Sequence, residues 1–162
     1  MLTFSSSRTD DPIAASLLTR YFTEREQTFP SAQGSYHVKL PDATQFVDGC
    51  GDFVIASLDG AAIGCGGVRR IEDDVDTAGG AIVRFEVKHL WVDPVARGHG
   101  AGRGLLVELE RRAVALGAQR LVLDTNESLT AAGGLYRTSG YRTVVPYNDN
   151  PNATHWYAKD VE

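Results

Sequence analysis

Eight residues in the middle of the chain, RGHGAGRG at positions 97–104, set four glycines and two arginines between two strongly apolar stretches. A strand that passes through such a turn straight into a helix leaves several backbone N–H groups unpaired and pointing the same way. The partial positive charge of the helix N-terminus adds to them, and glycine admits an anion where a β-carbon would collide. Arg97 and Arg103 can contribute charge-assisted bonds. The chemistry on offer is phosphate binding; the alternative is a tight turn that needs glycine only for its dihedral angles. Spacing narrows the ligand. A nucleotide-hydrolysing loop would need GxxxxGK[ST], and no Lys-Ser or Lys-Thr follows Gly98. The dinucleotide pattern GxGxxG fails as well: counted from Gly98, Gly100 or Gly102, its last position falls on Arg103, Leu105 or Val107.

Upstream of the turn, Glu86 interrupts an apolar run, AIVRFEVKHLWV. Strand alternation puts Glu86, Lys88 and Leu90 on one face and Phe85, Val87 and His89 on the other. A carboxylate there has two explanations, an acid–base role in a cleft or an ion pair with Arg84, Lys88 or a neighbouring strand. His89 is either a base or a satisfied strand histidine. Cys50 and Cys65 belong to no CxxC and to no Cys/His cluster with metal spacing, so both are expected to be buried small side chains and no metal is expected.

These residues need elements to hold them. The stretch 12–29 reads as an amphipathic helix capped by Asp10 or Asp11, with Ile13, Leu17, Leu18, Tyr21 and Phe22 at helical spacing. From Pro30 to Gly51 the periodicity fades into a surface segment. FVIASLDG and AAIGCGGVRR form a hairpin about Asp59-Gly60. After an acidic loop comes the strand that ends near Val92, stopped by Asp93-Pro94. Residues 100–117 form a helix with Leu105, Leu106, Leu109, Ala113 and Leu116 in one stripe, Glu108 paired with Arg112, and Gly117 as its end. RLVLDT is a strand, LTAAGGLYRTS a helix ending at Gly140, and YRTVV and THWYAKDV are the last two strands. The order describes a mixed α/β protein.

Its 162 residues suit a single domain, and 43% hydrophobic with 23% charged residues is a globular composition. No apolar run approaches the roughly 20 residues needed to span a bilayer, so no membrane association is expected. A net charge of -5 without clustered Lys and Arg argues against nucleic acid as a partner. The opening MLTFSSSRTDDP lacks a secretory pattern, and a cytoplasmic location is the expectation.

Read as Arg-x-x-Gly-x-Gly, the residues Arg97, Gly100 and Gly102 after LWVDPVA resemble the acetyl-CoA-binding motif of the GNAT acetyltransferase superfamily, Gln/Arg-x-x-Gly-x-Gly/Ala. The resemblance runs over about residues 53–145, and LYRTSGY is its second marker. It implies an α/β fold of the acyl-CoA N-acyltransferase type, with a mixed central sheet, a splayed strand pair and flanking helices. It implies acetyl-CoA as cosubstrate, with Gly98, His99, Gly100, Ala101, Gly102 and Arg103 around its pyrophosphate, and backbone groups of Leu90, Trp91 and Val92 along its pantetheine arm.

The same resemblance implies transfer of the acetyl group to a primary amine of a small molecule or peptide, by direct attack in a ternary complex. Tyr136 matches the tyrosine that follows the family's A-x-x-L segment, here with Ala132 and Leu135, and would protonate the departing thiolate; the alternative is a ring that only packs. Glu86 sits where some members carry a catalytic glutamate. The chain departs from the family in having Leu129 where an Asn is common, and Asn126, three residues earlier, either caps the helix or reaches the pantetheine. The tail VPYNDNPNATHWYAKDV resembles bacterial members in which Tyr147, Asn148, Asn150 and His155 lie on the acceptor side. From another class, a GNAT-fold module could bind acyl-CoA without turnover. Homodimers are frequent in the superfamily, and one is possible here.

Overall fold

The computed structural model describes residues 1–162. Strand β1 (Leu2–Ser6) precedes helix α1 (Pro12–Thr28), and two short 3-10 turns follow at Ser31–Gln33 and Ala43–Phe46. Strands β2 (Gly51–Leu58), β3 (Ala61–Arg70), the small hairpin β4 (Asp74–Val75) and β5 (Ala81–Ile82), and β6 (Arg84–Val92) come next. Helix α2 (Ala101–Ala115), β7 (Arg120–Thr125), α3 (Thr130–Thr138), β8 (Arg142–Val144) and β9 (His155–Asp160) complete the chain. Seven strands form one sheet in the order β1-β2-β3-β6-β7-β9-β8. Only β6 and β7 run parallel; every other neighbouring pair is antiparallel.

Local chemistry explains most boundaries. Asp11 caps α1 by accepting from the Ile13 amide at 3.0 Å, with Pro12 in the first helical position. Asp59 and Gly60, both at positive φ, close the β2–β3 hairpin. The α2 stripe of Leu105, Leu106, Leu109 and Ala113 is buried against Val54, Val68, Phe85 and Val87 of the sheet. On the opposite face α1 buries Ala14, Leu17, Leu18 and Phe22 with Phe46, Phe53, Cys65 and Trp91. Burial of these apolar surfaces, worth about 25 cal/mol per Å², is the main force holding the layers together.

Several expectations need correcting. β1 lies in a stretch to which the sequence reading assigns no element, and it is fixed by pairing with β2 from Leu2↔Leu58 to Ser6↔Val54. Ile13 is exposed, because the buried stripe of α1 begins at Ala14 instead. Cys50 is exposed, while Cys65 is buried, which pushes its thiol up to about 12. The long central strand breaks at Val83, whose amide donates to the Gln119 side chain at 2.9 Å, leaving β5 in a separate hairpin.

Alternation along β6 also fails in its second half. Against β3 the register passes from Cys65↔Trp91 to Gly67↔Lys88, so β6 carries one extra residue there, and His89 has φ 55°. This is a β-bulge. It reverses the faces: Leu90 packs with Phe85, Val87 and Val92 on the α2 side, while His89 turns towards Tyr21, Phe22 and Phe46 on the α1 side. Glu86 and His89 thus share a face, and Leu90 leaves it.

Candidate active site

Pairing between β6 and β7 covers only Arg84↔Arg120, Phe85↔Leu121 and Glu86↔Val122. Beyond Glu86 the two parallel strands separate, and the bulge bends β6 away from its neighbour. The result is a wedge-shaped opening with one wall of β6 backbone. The Asp93 amide donates to Ile63 at 2.7 Å, so by antiparallel alternation Trp91 also faces β3, whereas Leu90 and the N–H of Val92 face the opening. The Val92 carbonyl is already taken by Arg97 Nε at 2.8 Å.

At the mouth of the opening, Gly100 caps α2 in the left-handed region at φ 82° with no side-chain cap. The first helical bond runs from Gly104 N to Gly100 O at 2.9 Å, leaving the amides of Ala101, Gly102 and Arg103 ahead of the ladder. A β-carbon on Gly102 would point at Leu135 and Val92, 3.8 and 3.9 Å away, and so into the space between α2, α3 and β6. The fourth glycine serves a different purpose. A β-carbon on Gly104 would approach Leu2 and Phe4 within 3.1 and 3.3 Å, so Gly104 lets β1 pack against α2.

The two arginines divide likewise. Arg97 pairs with Glu24 of α1 at 2.8 Å, and Glu24 also accepts from Trp91 Nε1 at 2.8 Å, so this arginine braces the turn against α1. Arg103 meets only hydroxyls, Thr138 at 2.8 Å and Ser139 at 3.3 Å, and its charge remains available across the gap between α2 and α3. His99 turns back to the Arg97 carbonyl at 2.9 Å. Phosphate oxygens fit a cradle of three free amides, an unscreened guanidinium and room beside glycine.

Deeper in the opening Tyr136 is buried against Tyr141 and Tyr157, ring centroids 6.0 Å away in each case. Burial, with help from the charge of Asp124, pushes its hydroxyl above the usual tyrosine range, so it stays a phenol with a proton to give. Burial also pushes the His89 imidazole down to about 3, and its Nδ1 has no partner, which makes it a neutral ring in an aromatic pocket.

Glu86 is 1% exposed and fully engaged. Its Oε1 accepts from Arg69 at 2.7 and 3.0 Å, and its Oε2 accepts from the Tyr147 hydroxyl at 2.7 Å and from Asn148 at 3.4 Å. The ion pair is thus with a neighbouring strand. Asn126 is equally committed: Nδ2 donates to Gln33 at 2.7 Å and to the Asn152 carbonyl at 3.0 Å, and Oδ1 accepts from Ser128 at 3.0 Å. It ties loops together rather than capping α3, which starts four residues later at Thr130.

Sequence reasoning missed Asp124 and Arg69, and named Lys88 only as a partner for Glu86. Asp124 ends β7 at the separated strands, accepting from Asn148 at 2.7 Å and Asn150 at 3.1 Å, with Lys88 Nζ 3.7 Å away. A carboxylate closing the apolar run RLVLDT was its only signal. The tail residues Tyr147, Asn148 and Asn150 do reach this cluster, whereas His155 stacks on Tyr157 at 6.4 Å on another side of β9. No group of three or more His, Cys, Asp or Glu side chains is placed to hold a metal ion. No helix is long and apolar enough to cross a membrane.

Residues 15–141 match the Acetyltransferase (GNAT) family. An IAA acetyltransferase of Azospirillum brasilense is 36% identical over 95 residues, 59% of this chain and 57% of that protein. The chain spans about half the length of the curated relatives it matches. Among solved structures, a GNAT-family acetyltransferase of Staphylococcus aureus is similar with a TM-score of 0.75 at 14% identity, covering 100% of both chains. A GNAT-family acetyltransferase of Elizabethkingia anophelis with acetyl-CoA bound has a TM-score of 0.62 at 17% identity, covering 99% of this chain and 98% of that one.

Proposed function

Because this chain belongs to the GNAT acetyltransferase family, we propose that it transfers the acetyl group of acetyl-CoA to a primary amine by direct attack in a ternary complex. The observation that carries this is the coincidence of two backbone features. The β6–β7 pair stops at Glu86, and the free first-turn amides of α2 stand at the mouth it opens. The amides of Ala101, Gly102 and Arg103, with the Arg103 guanidinium, hold the pyrophosphate. Leu90 and the Val92 N–H accept the pantetheine arm as an added strand edge. Arg97 fixes the turn through Glu24 and is a positioning residue.

Acetyl-CoA supplies an activated acyl carbon and a thiolate leaving group. The acceptor arrives as an ammonium, pKa roughly 10, and must lose a proton before its nitrogen can attack. Asp124 is the carboxylate near the open end of the strand pair; held by Asn148 and Asn150, it exchanges its longer 3.7 Å contact with Lys88 for the acceptor ammonium and starts the proton on its way to solvent. The C–N bond then forms, the C–S bond breaks, and Tyr136 gives its proton to sulfur. Glu86, held by Arg69 and Tyr147, positions the tail rather than taking the proton.

Calorimetric titration with acetyl-CoA tests the cradle. Gly102→Glu is the informative variant, since its backbone is ordinary helix and its side chain would project into the proposed phosphate space. Binding by the wild type and much weaker binding by the folded variant is the expected result; equal binding by both overturns the cradle. A thiol-release assay over a set of amines then tests turnover.

A further inference from the structure

Arg25 of α1 is only 6% exposed, and its Nη1 is buried without a hydrogen-bond partner. Arginine keeps its charge at any ordinary pH, and a buried charge without an anion is strongly unfavourable. Nearby arginines are provided for: Arg20 pairs with Asp93 and Arg97 with Glu24. Arg25 instead has aromatic and hydroxyl company. Its Cζ lies 5.2 Å from the Tyr36 ring centroid, and Tyr36 is backed by Phe29 at 5.7 Å. Tyr21 stands one turn earlier on the same face of α1.

This cluster looks into the reaction space. The Tyr21 ring meets His89 of the bulged β6 edge-on, with centroids 5.7 Å apart. Burial raises both hydroxyls, so each remains a proton-bearing donor. Two ties hold the segment that carries Tyr36 over the separated strands: Gln33 to Asn126, and the His37 backbone to Asn152 at 2.8 Å in both directions. A buried planar cation flanked by two phenols matches a carboxylate, which offers two acceptor oxygens in a plane.

We propose that Arg25, with Tyr21 and Tyr36, receives the carboxylate of the acceptor, and that the acceptor is an amino acid carrying its amine and its carboxylate in one small molecule. The proposal rests on the acetyl-transfer reading above. The acceptor's ammonium meets Asp124, taking the place of Lys88 Nζ 3.7 Å away, and its carboxylate meets Arg25. The net charge of -5 favours cations at long range. Arg25 adds a local selection that passes zwitterions over simple amines.

The test is turnover with acetyl-CoA across α-, β- and γ-amino acids, each compared with its carboxamide and its decarboxylated amine. For at least one amino acid, kcat/KM is expected to exceed that of its carboxamide by about 100-fold, the scale of a charged hydrogen-bonded pair. Arg25→Gln should remove that preference through KM, while Arg25→Lys should keep part of it. Arg25→Met, which deletes the unpaired buried charge, should raise Tm, the opposite of what a merely structural arginine would show. Acetylation confined to carboxylate-free amines overturns the proposal. So does a preference that survives Arg25→Gln, or Arg25 dependence seen only with acyl donors that bear a carboxylate, such as succinyl-CoA. Acetyl-CoA affinity, measured separately by calorimetry, should be the same in wild type and Arg25→Gln; its absence in both strikes the cofactor reading, not the Arg25 assignment.

Discussion

The two sides of the opening between β6 and β7 are built from different materials. On the α2 side the unpaired groups are main-chain amides and strand edges, released by glycines and a bulge, and side chains serve mainly as braces. On the α1 and tail side the groups are side chains, with Glu86, Asp124 and Asn126 each accepting or donating several bonds to residues far away in sequence. A main-chain site binds whatever presents phosphate and an extended arm. A side-chain site changes its ligand with single substitutions. In the proposed reaction the invariant half therefore belongs on the first side and the selective half on the second.

Variants can break that division. Tyr136→Phe, at the meeting of the two sides, should lower kcat by about 100-fold or more with acetyl-CoA affinity unchanged, as single-turnover kinetics and calorimetry can show. Gly102→Glu should weaken acetyl-CoA binding by about 100-fold with little change in Tm; equal binding would deny the main-chain site its role. Asn152→Ala releases the His37 tie and should raise the acceptor KM about tenfold while sparing acetyl-CoA. An effect on acetyl-CoA instead would merge the two sides. Smallest at neutral pH is His89→Asn, which retains a residue tolerant of positive φ at the bulge. The folded His89 binds its proton only near 3, whereas the unfolded chain binds it near 6.5, so the unfolded state holds more protons between those values. Stability is lost as pH falls through that window, and the variant should flatten the slope in denaturant titrations from pH 7 to 4.

The same contrast explains what could be read from the chain. Gly100, Gly102 and the α2 stripe announce themselves because a turn and a helix start are decided within a few neighbouring residues. Tyr136 was visible only through the LYRTSGY resemblance. Asp124, Arg69 and the ties of Gln33 and His37 were not legible, since partners such as Glu86 and Tyr147 are 61 positions apart. The segment from Pro30 to Gly51 gave no period because its buried Phe46 is a single anchor between loops. The bulge escaped because alternation assumes a uniform pleat, and nothing in KHL marks the one residue that does not follow it.

That extra residue at His89 gives the protein a particular vulnerability. Delete one residue there and β6 would regain a regular pleat, its faces would realign from Arg84 to Val92, and its outer edge could zip along β7 past Glu86. The shortened chain would have a more continuous sheet with more ladder bonds, and no opening between these two strands. The opening is, in this sense, a frame of reading held one residue out of step with its neighbours.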